Sequence, residues 1–377
     1  MTTVNLWFVV ESGTDVRLVE GLADRTSLNV LARRIPGGVE ISQAPARAVP
    51  TIVGPASRAG FAHLVWRTLR RLGREDRVIV QGYGIAALAA NVASRLTGAP
   101  TFMLVCSPVE RYYACRRGRE SPGKPFRRRE VAALGAIARL NALVGHHYIV
   151  LSQHLADVVK CHGTRAPVSV VPVYGVDTAV FAPPTGSKDA LRQRRGLPAA
   201  GAIVFFSSRV APEKDAETML AAARRLLDQG RDLWLLHRSG GYQTFLAAAQ
   251  QAGVQARVVA SDAAHPHGGL AEDYQASDLC VQASREEGLG FSPLEALACQ
   301  VPVVASAVGG LRETIVDGVT GWTYPPGDAA ALARAIAEAL DRPEEAARRA
   351  QAGRAMVRER YEGRIVFDRL MEVLAAG

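Results

Sequence analysis

The stretch Leu279-Cys-Val-Gln-Ala-Ser284-Arg-Glu-Glu287-Gly-Leu-Gly290-Phe-Ser-Pro-Leu-Glu295-Ala-Leu-Ala-Cys-Gln-Val-Pro302-Val-Val-Ala-Ser306 decides the fold class. Leu279–Gln282 reads as a short buried strand, after which Gly288 and Gly290 open a loop. Ser292 reads as the N-cap of a helix and Pro293 as part of its first turn. A serine oxygen accepts from an unused helix N–H there, and proline lacks a donor that the first turn leaves idle. The helix runs Ser292–Cys299, and an apolar strand follows at Pro302–Ala305. Apolar strands alternating with helices predict an α/β fold, a parallel sheet covered on both faces. Ligands of such sheets bind beyond the carboxyl ends of the strands. That sets Ser284–Glu295 at a binding edge.

The same alternation extends outward. Before the stretch come a strand Ala202–Phe206, a helix Glu213–Gln229, a strand Leu233–Leu236, a helix Gln243–Ala252, and the segments Ala256–Ala260 and Gly269–Ala276. After it come a helix Ala329–Leu340, a stop at Pro343, and an acidic start at Glu344-Glu345. Arg354–Ala376 keeps helical spacing through Met356, Tyr361, Ile365, Leu370 and Val373. A separate series fills the first half. It has a strand Val4–Val10, a helix Asp15–Ala32, a strand Val78–Val80, a helix Ile85–Thr97, and strands Thr101–Cys106 and Tyr148–Leu151. The helix Ser152–His162 and the strand Val168–Val171 close it. Pro172, Gly175, Pro183, Pro184 and Gly186 punctuate the join. The 377 residues thus predict two doubly wound domains, over 1–180 and 181–355, with a C-terminal helix over 356–377 packing back on the first.

Composition narrows the function. Lys plus Arg is 45 and Asp plus Glu is 36, a net +9, and 41 of the 45 are Arg. Residues 1–185 carry 23 basic and 12 acidic side chains; residues 186–377 carry 22 and 24. The halves therefore meet different partners. No apolar run approaches the roughly 18 residues that span a bilayer. The N-terminus has no basic lead-in and reaches a charge at Glu11, so no signal peptide is expected and a cytoplasmic protein is. Cys106, Cys115, Cys161, Cys280 and Cys299 show no C-x-x-C spacing, which fits reduced thiols and no zinc site. His146-His147 and His265-Pro-His267 lack further ligands nearby, so no metal is expected.

In the loop, backbone N–H groups at Gly290–Ser292 and the helix dipole favour a phosphate. Glu287 and Glu295 beside a phosphate site need hydroxyl donors, such as those of a sugar or ribose. The spacing alone fits equally a helix whose acids merely complement its dipole. The run from Glu287 to Ser306, continued by Val308-Gly-Gly-Leu-Arg-Glu313 and Asp317-Gly-Val-Thr-Gly321, resembles the E-x7-E signature of the retaining, GT-B fold glycosyltransferases of family 4, the glycosyl transferases group 1. Ser207-Ser-Arg209-Val-Ala-Pro-Glu-Lys214 resembles that family's second signature, and Val170–Asp177 with Phe181 and Pro183 resembles its interdomain linker. The resemblance covers most of residues 168–328; before residue 150 it is one of pattern.

The resemblance implies two Rossmann-like domains facing across a cleft. It implies a hexosyltransferase that takes a hexose from a nucleotide diphosphate sugar, UDP- or GDP-linked, to a hydroxyl acceptor with retention. Glu287 would hold the sugar hydroxyls, with Gly288, Gly290, Phe291 and Ser292 around the donor, and Glu295 would hold the ribose. Arg209 and Lys214 would neutralise the diphosphate, where charge grows in the transition state. Gly13 would bring backbone N–H groups toward the diphosphate. No cofactor is implied, and the absence of D-x-D fits donor binding without a metal. Two departures stand out: a single glycine, Gly13, where many relatives have a pair, and Cys106-Ser107 where a histidine is frequent.

The basic excess then belongs to the acceptor side. Arg111–Arg129 holds eight basic residues, among them Arg111, Arg116, Arg117, Arg127 and Arg128, against Glu120 alone. His63–Arg74 reads as a basic amphipathic helix. Both suit an acidic or lipid-linked acceptor and an anionic membrane surface, with the enzyme peripheral at the inner face. They equally suit a solvated arginine face. Interleaved aromatics are few, so nucleic acid is not expected as a partner. Other GT-B chemistry, a phosphorylase or a nucleotide-sugar epimerase, and an inactive binding module are the alternatives.

Overall fold

The computed structural model describes residues 5–38, 40–115, 128–262 and 269–377. The chain divides into two compact units. The first comprises Met1–Tyr113, Arg127–Gly175 and Gly363–Gly377, and the second contains Val176–Glu362.

The first unit runs β1 (Asn5–Val10), α1 (Val16–Ala23), β2 (Ser27–Arg33), β3 (Thr51–Gly54), α2 (Arg58–Leu69), β4 (Arg77–Gln81), α3 (Ile85–Thr97) and β5 (Thr101–Val105). It continues through α4 (Val109–Ala114), α5 (Arg128–Val144), β6 (His147–Val150), α6 (Gln153–Cys161) and β7 (Val168–Val170). Its seven strands form one parallel sheet in the order β3-β2-β1-β4-β5-β6-β7. The order reverses between β1 and β4.

The second unit runs α7 (Lys188–Arg194), β8 (Ala202–Phe205), α8 (Ala216–Asp228), β9 (Leu233–Arg238), α9 (Tyr242–Gln251), β10 (Val258–Ser261), α10 (Leu270–Ala276) and β11 (Leu279–Gln282). Then come α11 (Phe291–Ala298), β12 (Val303–Ser306), α12 (Leu311–Thr314), β13 (Trp322–Tyr324), α13 (Ala329–Asp341) and α14 (Pro343–Arg360). Its six strands are parallel in the order β10-β9-β8-β11-β12-β13, reversing between β8 and β11. Val204, Met219, Leu220, Leu226, Leu235, Phe245 and Ile336 fill its core. A last helix, α15 (Gly363–Ala376), belongs to the first unit, where Arg77 Nε donates to the Leu374 carbonyl at 3.0 Å.

Several sequence expectations need correcting. The helix predicted over Asp15–Ala32 stops at Ala23, and β2 follows. Thr26 Oγ1 donates to the Leu22 carbonyl at 2.8 Å and closes the last turn, after which Leu28, Val30 and Leu31 enter the sheet core. The helix predicted over His63–Arg74 is α2, capped by Ser57, whose Oγ accepts from Gly60 N–H at 3.2 Å. It buries Phe61, Val65 and Leu69, so this apolar face is consumed by the core. The continuous spacing over Arg354–Ala376 is broken at Tyr361, whose carbonyl accepts from Val176 N–H at 2.7 Å.

Candidate functional site

Ligands of open α/β sheets sit at the point where strand order reverses. In the second unit that point lies between β8 and β11, and the loops leaving these strands carry the two sequence motifs. After β8 the chain passes Ser207, Ser208 and Arg209 into one 3-10 turn, Pro212–Lys214. Asp215 then takes a left-handed conformation, φ 51° and ψ 50°, which a short polar side chain tolerates. Its carboxylate accepts from Thr218 Oγ1 at 2.6 Å and lies 2.8 Å from Arg285 Nε. The helix predicted from Glu213 therefore begins only at Ala216, and Lys214 stays in the loop.

The two loops are cross-linked. Lys214 Nζ lies 2.5 Å from Glu287 Oε2, and Arg285 N–H donates to the Glu213 carbonyl at 2.8 Å. Glu287 is 6% exposed, and the same Oε2 accepts from Ser284 Oγ at 3.0 Å and Gln282 Nε2 at 3.1 Å. A buried carboxylate needs this much pairing, since its bare burial would be costly. Arg209 differs: its side chain is 65% exposed and reaches Glu213 at 3.0 Å.

Behind Glu287 stands the Gly309-Gly310 pair. Gly310 N–H donates to the Glu287 carbonyl at 3.0 Å. A Cβ on Gly309 would lie 2.1 Å from that oxygen, and one on Gly310 would lie 2.2 Å from the Gly288 carbonyl oxygen. Neither residue can be anything larger without moving the loop. This explains the second part of the motif, which spacing alone left without a reason.

Glu295, one turn into α11, is 6% exposed. Tyr274 O–H lies 3.2 Å from Glu295 Oε2 and 3.0 Å from Ser207 Oγ, linking the helix to the β8 loop. Burial, with the Glu295 charge behind it, pushes the Tyr274 phenol well above its ordinary range, so it stays a donor. Burial likewise raises the thiols of Cys280 and Cys299, which stay protonated. The N-cap of α11 is Gly290, φ 93°, not Ser292 as predicted; Ser292 is the second helical residue and Pro293 the third. Gly290 fills this place because the turn demands a positive φ and a Cβ there would meet Leu311 Cδ2 at 2.5 Å.

The remaining candidates lie in the first unit. Gly13 ends the turn after β1 at φ 87°. Ser107 follows β5, while Arg111 on α4 and Arg128 opening α5 are exposed. Arg116, Arg117 and Arg127 lie outside the described residues. Cys106, pushed up to about 12 by burial, sits 3.3 Å from Tyr174 O–H.

Two features of this unit escaped the sequence reading. Glu11, just after β1, is 7% exposed, and burial raises its pKa against the pull of Arg58 and Arg33. A Cβ on Gly84 would meet Glu11 Oε2 at 2.4 Å. Glu110 accepts from Tyr83 O–H and sits 3.0 Å from His162 Nε2. Burial opposes its charge, but the bonds from His162 and Tyr83 hold its carboxyl below the usual range. Among the described residues no group of three or more His, Cys, Asp or Glu could hold a metal, and no helix is long and apolar enough to cross a membrane.

Comparison with known proteins agrees with the geometry. The family described as glycosyl transferases group 1 matches residues 187–356. The chain is 30% identical to the D-inositol 3-phosphate glycosyltransferase of Acidothermus cellulolyticus, over 85% of this chain and 72% of that one. It is 31% identical to the 2-deoxystreptamine N-acetyl-D-glucosaminyltransferase of Streptomyces fradiae, over 84% and 74%. Shorter matches to other D-inositol 3-phosphate glycosyltransferases, at 37% and 35% identity, span 41% and 48% of those proteins. The sucrose-phosphate synthase structure from Thermosynechococcus elongatus superposes with a TM-score of 0.80 at 21% identity, over 99% of this chain and 100% of that one. The chain has the GT-B fold, built from two Rossmann-like domains, and it belongs to the glycosyl transferases group 1.

Proposed function

We propose that the protein is a retaining glycosyltransferase that moves a hexosyl group from a nucleotide diphosphate sugar to a hydroxyl acceptor. The placement of Arg209 and Lys214 on one loop, Glu287 on the other and Glu295 in the first turns of α11, all at one switch point, carries this reading. Arg209 and Lys214 take the diphosphate, the first as a fork and the second as a point charge. Both meet the charge that grows on the leaving oxygen as the bond from the anomeric carbon breaks. Glu287 holds hydroxyls of the sugar, and Glu295 those of the ribose. The acceptor oxygen bonds to the anomeric carbon on the face the diphosphate leaves, and its proton passes to a leaving phosphate oxygen. Configuration is therefore kept without an enzyme nucleophile. Protein cations replace a bridging metal, so chelator leaves turnover unchanged.

Donor entry has a specific requirement. Lys214 and Glu287 hold each other in the structure, so phosphate takes the lysine while sugar hydroxyls take over the carboxylate. Glu287→Ala and Lys214→Ala each abolish nucleotide release while leaving the fold intact, Lys214→Ala with a lowered melting temperature because it strips a buried carboxylate of its cation. Near-normal turnover in either refutes the assignment. The donor panel is UDP-glucose, UDP-N-acetylglucosamine, GDP-mannose and ADP-glucose.

On the acceptor side, two relatives are named for cyclitols, one phosphorylated and one bearing amines. The basic first half favours an acidic acceptor. Inositol 3-phosphate and 2-deoxystreptamine, offered side by side, test this; preference for the amine overturns it. The same basic half supports a cytoplasmic enzyme peripheral at an anionic membrane. Leu96 and Leu143, each 73% exposed, stand on α3 and α5 near Arg95, whose Nε donates to the Val144 carbonyl at 3.1 Å. Arg70, Arg71 and Arg74 follow α2, which packs beside α3. Apolar side chains among arginines suit the interface of an anionic leaflet. Equal recovery with neutral and anionic vesicles refutes it.

A further inference from the structure

A buried glutamine that neither sequence motif includes ends strand β11. Gln282 is 1% exposed. Its carbonyl oxygen accepts from Ser208 Oγ at 2.8 Å. Its amide nitrogen donates to Ser284 Oγ at 2.7 Å and to Glu287 Oε2 at 3.1 Å. Ser284 Oγ in turn donates to the same carboxylate oxygen at 3.0 Å. Both amide hydrogens are thereby used.

Packing does not call for this residue. The rest of β11 is Leu279, Cys280 and Val281, all fully buried, and a buried primary amide is costly unless every bond is made. Its partners are informative. Ser208 precedes Arg209 on the β8 loop, and Glu287 is the carboxylate that Lys214 touches. A primary amide can donate to an anion on one side and accept from a hydroxyl on the other. The reverse orientation would set a carbonyl oxygen against a carboxylate.

We propose that Gln282 is a positioning residue for transfer. Its amide fixes one oxygen of Glu287, and its carbonyl ties the Arg209 loop into the same hydrogen-bonded frame. Sugar-holding and phosphate-holding groups thus keep a constant separation while the donor reacts. This rests on the reading of Glu287 as the sugar-holding carboxylate.

Three variants of the full chain test it: Gln282→Leu, Gln282→Glu and Glu287→Gln. The readouts are nucleotide release from whichever sugar of the donor panel turns over, calorimetric affinity for its parent nucleoside diphosphate, and the pH profile from 5.5 to 8. Gln282→Leu lowers kcat roughly ten- to hundredfold, the loss of a hydrogen bond to a charged group. Affinity for the nucleoside diphosphate stays within twofold of the unmodified protein. Gln282→Glu sets two carboxyls in contact, which raises the pKa of one of them. Its activity rises as pH falls, because the introduced carboxyl, once protonated, donates as the amide did. The unmodified protein shows no such rise. The Gln282→Glu profile compares one variant with itself, so it stands even where Gln282→Leu folds poorly. A Gln282→Leu kcat within twofold of the unmodified protein overturns the proposal, as does an unaltered Gln282→Glu profile. If Glu287→Gln is inactive in that case, only the positioning role falls. If Glu287→Gln keeps full turnover, the reading of Glu287 falls, and this proposal with it.

Discussion

Gly310→Ala separates the position of the Glu287 loop from its chemistry. Gly310 has φ −68° and ψ −13°, a conformation alanine adopts freely, so the substitution adds no backbone strain. The added methyl would lie 2.2 Å from the Gly288 carbonyl oxygen and 2.8 Å from both the Gly288 carbonyl carbon and Leu289 Cα. All three are backbone atoms and cannot rotate away. To reach even a tight contact of about 3 Å the loop must retreat by about 0.8 Å. It carries Glu287, the chain neighbour of Gly288, with it and stretches the bond from Gly310 N–H to the Glu287 carbonyl. Overpacking of this kind costs about 1–3 kcal/mol, a fall of roughly 2–12 °C in the melting temperature of a unit this size. A displacement near 1 Å costs on the order of a hundredfold in rate. Turnover is read as nucleotide release from the active donor of the panel, and stability by thermal melting. Gly135→Ala is the control: it lies in α5 with nothing within 4 Å of the added methyl, and it stabilises by about 0.5–1 kcal/mol. If Gly310→Ala keeps kcat within threefold, the loop does not depend on this backing and the reasoning fails.

Other perturbations probe the surrounding supports. Tyr274→Phe removes the hydroxyl shared by Ser207 and Glu295, and affinity for the parent nucleoside diphosphate falls roughly tenfold; unchanged calorimetric affinity contradicts the ribose role of Glu295. His237, stacked against Phe206 and Phe245, is pushed down to about 4 by burial. The folded protein then binds fewer protons than the unfolded chain between about pH 4 and 6.5. The stabilisation is therefore complete above pH 6.5 and is lost as pH falls toward 4, a change of roughly 3 kcal/mol at 1.4 kcal/mol per unit. His237→Phe flattens the second unit's denaturation midpoint across that window, and a midpoint that still falls with acid shows another group to be responsible.

The strands most plainly legible are those buried on both faces, such as Val78–Val80 and Leu279–Gln282, where an unbroken apolar run stands between turn signals. β2 escaped because no glycine or proline separates it from α1, and the helix stop is made by a threonine hydroxyl. β13 has three residues, too few to show any period. Within the site, Lys214 and Glu287 were legible as motif members, but their contact spans 73 positions and belongs to the folded sheet alone. Gln282 and Tyr274 had no signal at all, and Ser208 had none beyond its place in the second signature. A glutamine at a strand end looks like any polar boundary, and only the position of its partners distinguishes it.

The ion pair of Lys214 with Glu287 bears on how a spent site empties. Under the proposed roles an intact donor gives each partner a replacement: phosphate for the lysine and hydroxyls for the carboxylate. A nucleoside diphosphate that has lost its sugar offers only the first. It must part the two charges and leave a buried carboxylate with one donor fewer, so the resting protein competes with its own product for the lysine. The pair thereby weakens retention of the nucleotide after transfer without weakening capture of the donor before it, and turnover is spared some of the product inhibition that a permanently exposed phosphate clamp would impose.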